Sequence, residues 1–164
     1  MDPVTAQVLI DRPREEVFDY LVDIANHPEF SDHYLKEWRL TRLESVGRGA
    51  GARFKIDAPL DRYGWGDMTF IEVERPHRIV AAGRAGKFNR NKTWTTWTLE
   101  PSGNATRLEV STESEPALPT DKLMEAVTRR RGWTKRGLRK SLSRMQSILE
   151  EDIDRGKRAT VGGL

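Results

Sequence analysis

Asp57, Asp61, Tyr63 and Asp67 fall within the short stretch "IDAPLDRYGWGD", and Tyr34 and Glu72 lie on either side of it. Carboxyl and phenol groups in such numbers could serve as general acids and bases. That chemistry would need two of them converging in a dry pocket that separates their pKa values. The sequence does not bring any two together, and the plain reading is surface carboxylates. The histidines His27, His33 and His77 offer little for metal chemistry. His27 and His33 are six apart, which does not place them on one helix face, and no further ligands stand at zinc-like spacing. With no cysteine in the chain, thiolate and disulfide chemistry are excluded. The serines of "KSLSRM" sit in a helical pattern without a nearby base, so no catalytic triad is read there. No metal and no cofactor are expected.

A second candidate is "GRGAG", with Gly47, Gly49 and Gly51 alternating. A phosphate-binding loop needs a helix N-terminus directly after its glycines, because the N–H groups and dipole there hold the anion. Here "ARFKIDA" follows, with Phe54 and Ile56 alternating with Arg53 and Lys55. That is a strand pattern. The spacing is G-x-G-x-G, and no Lys-Ser/Thr follows. The glycines are expected to turn the backbone between two strands.

The elements that would position these residues can be read in order. "VTAQVLI" is β-branched and reads as a strand. "DRPREEVFDYLVDIA" follows as a helix led by Pro13, with Val17, Phe18, Leu21 and Val22 on one face. "NHPEFSDHY" reads as a second short helix capped by Asn26. Six strand-like runs come next, from "EWRLTRLESV" to "ATRLEVSTE", separated by glycine, proline or asparagine, with "EPSGN" as a hairpin turn. A long helix capped by Thr120 closes the chain. Leu138, Leu142, Met145, Leu149 and Ile153 form its apolar stripe, and a bend is expected near Gly132 and Gly137. This order is an α+β layout in which only the last helix is large enough to fill the concave face of a curved sheet.

The 164 residues suit one domain with a real core. The net charge of +3 and 32% charged residues do not demand a nucleic-acid partner, and none is expected. The start "MDPVTAQVLIDRPREEV" shows neither a basic n-region nor an apolar h-region. No run approaches the ~20 apolar residues of a membrane helix. A cytoplasmic location is therefore expected.

The runs "VLIDRPREEVFDYLVDIANHPEF" and "VGRGAGARF", together with the long terminal helix, resemble the START-like (SRPBCC) superfamily and its polyketide cyclase/dehydrase and lipid-transport branch. The resemblance spans about residues 4 to 154. It implies a helix-grip fold: a seven-stranded curved antiparallel sheet around the C-terminal helix, with two short helices after the first strand and a deep cavity. Residues 1–155 would form the ligand-binding domain and 156–164 a flexible tail. The expected function is binding, extending to transport, of a small hydrophobic ligand such as a lipid, quinone or polyketide. An aromatase/cyclase- or dehydrase-type enzyme acting in the same cavity is the alternative from the same resemblance.

Strand alternation then assigns Phe54, Ile56, Met68, Phe70, Trp97, Leu99, Leu108 and Val110 to the face toward the helix. From the helix, Trp133, Gly137 and Met145 join them as cavity residues. Gly137 either opens space for ligand or marks a bend. Asp57, Tyr63, Trp65 and Asp67 are the candidates for the cavity mouth. The run "RRRGWTKRGLRK" carries Arg129, Arg130, Arg131, Lys135, Arg136, Arg139 and Lys140. Its plain reading is a solvated helix face. Its functional reading is an interaction module for an anionic membrane surface or an acidic partner. Oligomeric state is not legible.

Overall fold

The computed structural model describes residues 1–164. Strand β1 (Val4–Ile10) leads into helix α1 (Arg14–Leu21). A short turn (Ile24–Asn26) and helix α2 (His27–Ser31) follow. Then come β2 (Leu35–Leu40), β3 (Gly51–Ile56), β4 (Trp65–Glu74), β5 (Arg78–Ala85), β6 (Asn91–Ser102) and β7 (Ala105–Glu115). Helices α3 (Pro119–Val127) and α4 (Arg130–Glu151) end the regular structure. All seven strands form one antiparallel sheet in the order β1-β7-β6-β5-β4-β3-β2. The path is a meander from β2 to β7, with β1 returning to the far edge beside β7. This is the helix-grip architecture expected from the sequence. No helix is long and apolar enough to cross a membrane.

Alternation decides which side of each strand enters the core. Phe54, Phe70, Trp97, Leu99, Leu108 and Val110 are buried on the concave side, while Arg53, Lys55 and Arg107 stand outside. From the other layer, α1 contributes Val17, Phe18 and Leu21, and α4 contributes Leu138, Leu142, Met145 and Ile148. Register shifts interrupt β2–β3 between Lys36 and Arg39, and β4–β5 between Phe70 and Glu72. Such bulges bend a sheet and increase its twist, which helps this one curl around α4.

The glycine run is a turn. Gly47 and Gly49 have φ of +83° and +89°, a region that favours residues without Cβ. Gly49 N–H donates to the Phe70 carbonyl at 2.8 Å and Gly47 N–H to that of Val22 at 3.1 Å. Amides engaged in this way hold the loop against the core and are not free to cradle a phosphate.

Four expectations about the C-terminal region are corrected. The final helix is not continuous: it breaks at Thr128–Arg129, where Arg129 takes a left-handed φ of +51°. Thr128 Oγ1 closes α3 by donating to the Met124 carbonyl. Gly132 and Gly137 both lie within regular α4 and make no break. Thr120 falls inside α3 and Leu118 holds its N-cap position. The helix ends at Glu151, before Ile153, which is exposed. The last residues, expected to fray, instead lie against the fold. Ala159 is buried and its N–H donates to the Ala25 carbonyl at 2.9 Å, and Leu40 N–H donates to Thr160 O at 2.8 Å. Arg155 and Arg158 reach Glu29 and Asp23 respectively.

Candidate functional site

Between the concave sheet face and α4 lies a cavity of about 690 Å³. Strands supply Phe54, Ile56, Met68, Trp97 and Val110 to its wall, and α4 supplies Trp133, Leu138, Leu142 and Met145. Trp38 and Tyr34, from β2 and the segment before it, complete an aromatic side. The mouth is framed by the β3–β4 loop, the β5–β6 loop and α3.

Two ion pairs tie these mouth elements together. Arg130 Nη1 lies 2.9 Å from Asp61, joining the start of α4 to the β3–β4 loop. Arg90 binds Asp121 through two N–H groups at 2.6 and 2.8 Å, joining the β5–β6 loop to α3. The N-terminal amine, 2.9 Å from Glu125, holds α3 from the opposite side. Six of the charged groups at the mouth are thus paired, while Arg62, Arg84, Lys87, Asp67 and Glu113 border the cavity outside any ion pair, and the wall deeper inside is apolar with scattered hydroxyls: Ser31, Thr95, Thr112 and Ser141.

Several residues expected in the wall sit elsewhere. Phe70, Leu99 and Leu108 do face inward, but they are sealed in the core at 1% exposure or less and do not border the cavity. Gly137 does not border it either. A Cβ there would come within 2.5 Å of the Tyr34 ring, so the missing side chain makes room for Tyr34 and not for ligand. At the mouth, Tyr63 and Asp67 border the opening, but Asp57 and Trp65 do not. Asp57 pairs with Lys36 at the surface at 2.7 Å. Trp65 lies on the outer sheet face beneath the Arg53 guanidinium.

The acid–base candidates are dispersed. Asp57 is held by Lys36, Asp61 by Arg130 and Glu72 by Arg78, and Asp67 accepts from the Arg84 N–H. Tyr63 is half exposed, under Lys87. Tyr34, by contrast, is a wall residue whose phenol pKa burial pushes up to about 12. His27 is the wall residue whose role was least visible in the sequence. Its Nε2–H donates to the Leu21 carbonyl at 2.8 Å, and its ring is surrounded by Phe30, Trp38, Phe70 and Trp97. Burial lowers its pKa to about 4, so it is neutral at pH 7. Trp38 was missed although the inward pair Trp38/Leu40 follows the same alternation as Phe54/Ile56. Tyr34 and His27 were noted for other chemistry, and nothing local shows that they turn inward.

Residues 11–150 match the model of the family described as activator of Hsp90 ATPase homolog 1-like protein. The chain belongs to that family. No curated protein matches it in sequence. Among solved structures, the chain is similar to KanY protein, with a TM-score of 0.72 at 17% identity, over 90% of this chain and 97% of that one. It is also similar to norcoclaurine synthase from Thalictrum flavum solved with dopamine and hydroxybenzaldehyde. There the TM-score is 0.67 at 14% identity, over 92% of this chain and 87% of that one. DynU16, a protein of the dynemicin biosynthetic locus, matches with a TM-score of 0.59 at 19% identity, over 95% of this chain and 50% of that one. At these identities the likeness concerns the fold alone.

Proposed function

We propose that this protein binds a small, largely apolar ligand inside the helix-grip cavity and keeps it from water. The observation that carries the reading is the cavity itself: about 690 Å³, walled by Trp38, Trp97, Trp133, Phe54 and Met145. Ligand pockets are typically roughly 300–1,000 Å³, mostly apolar with a few placed polar groups. Removing about 300 Å² of apolar ligand surface from water would contribute roughly 7 kcal/mol, before the cost of immobilising the ligand. That some members of this fold hold small aromatic molecules, as norcoclaurine synthase holds dopamine and hydroxybenzaldehyde, supports an aromatic or polycyclic ligand. Binding is favoured over cyclase or dehydrase chemistry because the candidate carboxylates Asp57, Asp61, Asp67 and Glu72 are each tied to a different cation or amide. The wall groups Tyr34 and His27 are both held neutral and far from the pKa of an effective acid or base.

A titration tests this. The apolar fluorophore 1-aminoanthracene, excited by energy transfer from Trp38 and Trp97, should show saturable binding to the wild type. Thr95→Phe, which fills the cavity from β6, should weaken it at least tenfold. Equal binding by both proteins would place the probe outside the cavity and sink the proposal.

A second reading concerns how such a ligand arrives. Apolar side chains crowd the mouth in the open: Leu60, Tyr63 and Phe88 on the loops, and Leu123, Met124 and Val127 on α3. Helix α3 has no buried residue at all, and Phe88 is 83% exposed in a left-handed backbone conformation. Arg62, Lys122, Arg129 and Arg131 surround this patch and are exposed. Apolar groups ringed by cations suit an anionic lipid surface. The docking face would then be the mouth, with the basic start of α4 at its rim. Sedimentation with phosphatidylglycerol vesicles should carry the protein down. The pair Phe88→Ser and Leu123→Glu should abolish it. Retention by that variant, or equal binding to zwitterionic vesicles, would contradict the reading.

A further inference from the structure

Ser141 is buried in the middle of α4 at 4% exposure, borders the cavity, and its Oγ has no hydrogen-bond partner. A serine inside a helix normally satisfies its hydroxyl by donating to the carbonyl four residues back. Ser31 does this to His27 O at 2.6 Å, Thr128 to Met124 O at 2.7 Å and Ser147 to Ser143 O at 3.2 Å. Ser141 does not. The carbonyl it would use, that of Gly137, is taken from the side by His33, whose Nε2 lies 3.2 Å away. Arg144 Nη1 sits 3.3 Å from His33 Nδ1, and because a guanidinium can only donate, the ring proton is on Nε2 and is given to Gly137 O.

Beside Ser141 stands Tyr34, packed on α4 at Gly137, one turn earlier. Its phenol borders the cavity and lies within hydrogen-bonding reach of the Ser141 hydroxyl, but without the alignment of a formed bond, so that Ser141 Oγ stays unpaired. An unpaired buried hydroxyl such as that of Ser141 is left desolvated with nothing in return, and groups of this kind are rare in folded proteins. The glycine at 137 contributes to the arrangement, because any side chain there would push the Tyr34 ring away.

Resting on the cavity-binding reading above, we infer that Tyr34 and Ser141 form a paired polar contact for one oxygen of the ligand. The ligand would therefore be a neutral, mainly apolar molecule bearing a carbonyl or hydroxyl, and neither a bare hydrocarbon nor an anion held at depth. Both groups can donate to a carbonyl, or one can donate and the other accept from a hydroxyl. The neutrality follows from the contact itself: two hydroxyls bring no charge to balance an anion, and the paired residues Arg90, Arg130, Asp61, Asp121 and Glu125, like the ion-pair-free Arg62, Arg84, Lys87, Asp67 and Glu113, belong to the cavity's charged border rather than to this pair.

The test displaces 1-aminoanthracene with naphthalene, 2-naphthol and 2-naphthoate, using the wild type, Ser141→Ala and Tyr34→Phe. The wild type should bind 2-naphthol about tenfold more tightly than naphthalene, and 2-naphthoate more weakly than 2-naphthol. In Ser141→Ala that preference should fall to about twofold, with naphthalene affinity unchanged. Tyr34→Phe should act in the same direction. Ser141→Ala should also resist urea as well as or better than the wild type, since it removes an unsatisfied group, and this separates a lost contact from a damaged fold. A 2-naphthol preference that survives Ser141→Ala overturns the inference, as does equal affinity for naphthalene and 2-naphthol or tighter binding of 2-naphthoate. If none of the compounds, including 1-aminoanthracene, binds the wild type, the cavity reading fails as well, which is a separate outcome.

Discussion

Acidification from pH 6.5 to about 4 is expected to remove about 3 kcal/mol of folding stability through His27 alone. The ring is fully enclosed, and burial depresses its pKa from 6.5 to about 4. In the unfolded chain it would titrate near its ordinary value. Between those two pH values the unfolded chain takes up a proton that the native state refuses. Stability from this group is therefore complete above pH 6.5 and drains away as pH falls toward 4. At about 1.4 kcal/mol per pKa unit, the loss is a large part of the ~5–15 kcal/mol that holds a typical domain together. Urea unfolding across this pH range measures it directly. His27→Gln keeps an amide N–H for the Leu21 carbonyl but cannot ionise, so its profile should be flatter by about that amount. A slope identical to the wild type's would mean that the acid sensitivity lies elsewhere. Because His27 also forms part of the cavity wall with Trp38 and Trp97, a bound ligand should move the acid transition to lower pH.

The second large effect is expected from Arg155→Ala. Glu29 is 1% exposed, and Arg155 Nη1 meets both of its carboxylate oxygens at 3.0 and 3.2 Å. Removing one partner of a buried pair leaves the other charge desolvated and unpaired, at a cost of roughly 3–5 kcal/mol in full burial. Arg155 is itself about two-fifths exposed, so solvent screening reduces the expectation to about 2 kcal/mol. The reverse change should be milder, because Arg155 without Glu29 still has Asp152 at 2.8 Å and water. Chemical denaturation should therefore rank Arg155→Ala below Glu29→Gln, with the double variant recovering much of the loss. The same change should loosen the C-terminal segment, whose Gly156 N–H donates to Glu29 O. Proteolysis at the "GKR" stretch reports that. Equal stability of the two single variants would show that the carboxylate is not truly desolvated.

These two effects also mark where the sequence was legible and where it was not. The sheet could be read because period-two alternation is a local signal: Trp97 and Leu99 opposite Val110 and Leu108, or Phe54 opposite Arg53 and Lys55. Alternation gives a face but no depth. Phe70, Leu99 and Leu108 point the right way yet stop in the core, because how far a side chain stands from the open space is set by the layers above it. The tail was opaque for a different reason. "RGKRAT" looks solvated in isolation, and its acceptors Asp23, Asn26 and Glu29 lie more than a hundred residues away in sequence. Gly137 and Ser141 share that character. One needs the Tyr34 ring to explain it, and the other needs His33 to occupy its carbonyl. The break before α4 uses arginine rather than glycine at a left-handed position, so the residue types that usually announce a helix end misplaced it.

The central claim is that this fold encloses a small molecule, and native mass spectrometry of the purified protein, followed by solvent extraction, tests it most directly. The account predicts a discrete adduct of small-molecule mass that is lost on denaturation and on Thr95→Phe. It further predicts that the extract contains a neutral, mostly apolar compound carrying a carbonyl or hydroxyl. A bare polypeptide mass, together with unchanged tryptophan emission across a panel of lipids, quinones and aromatics, would contradict it.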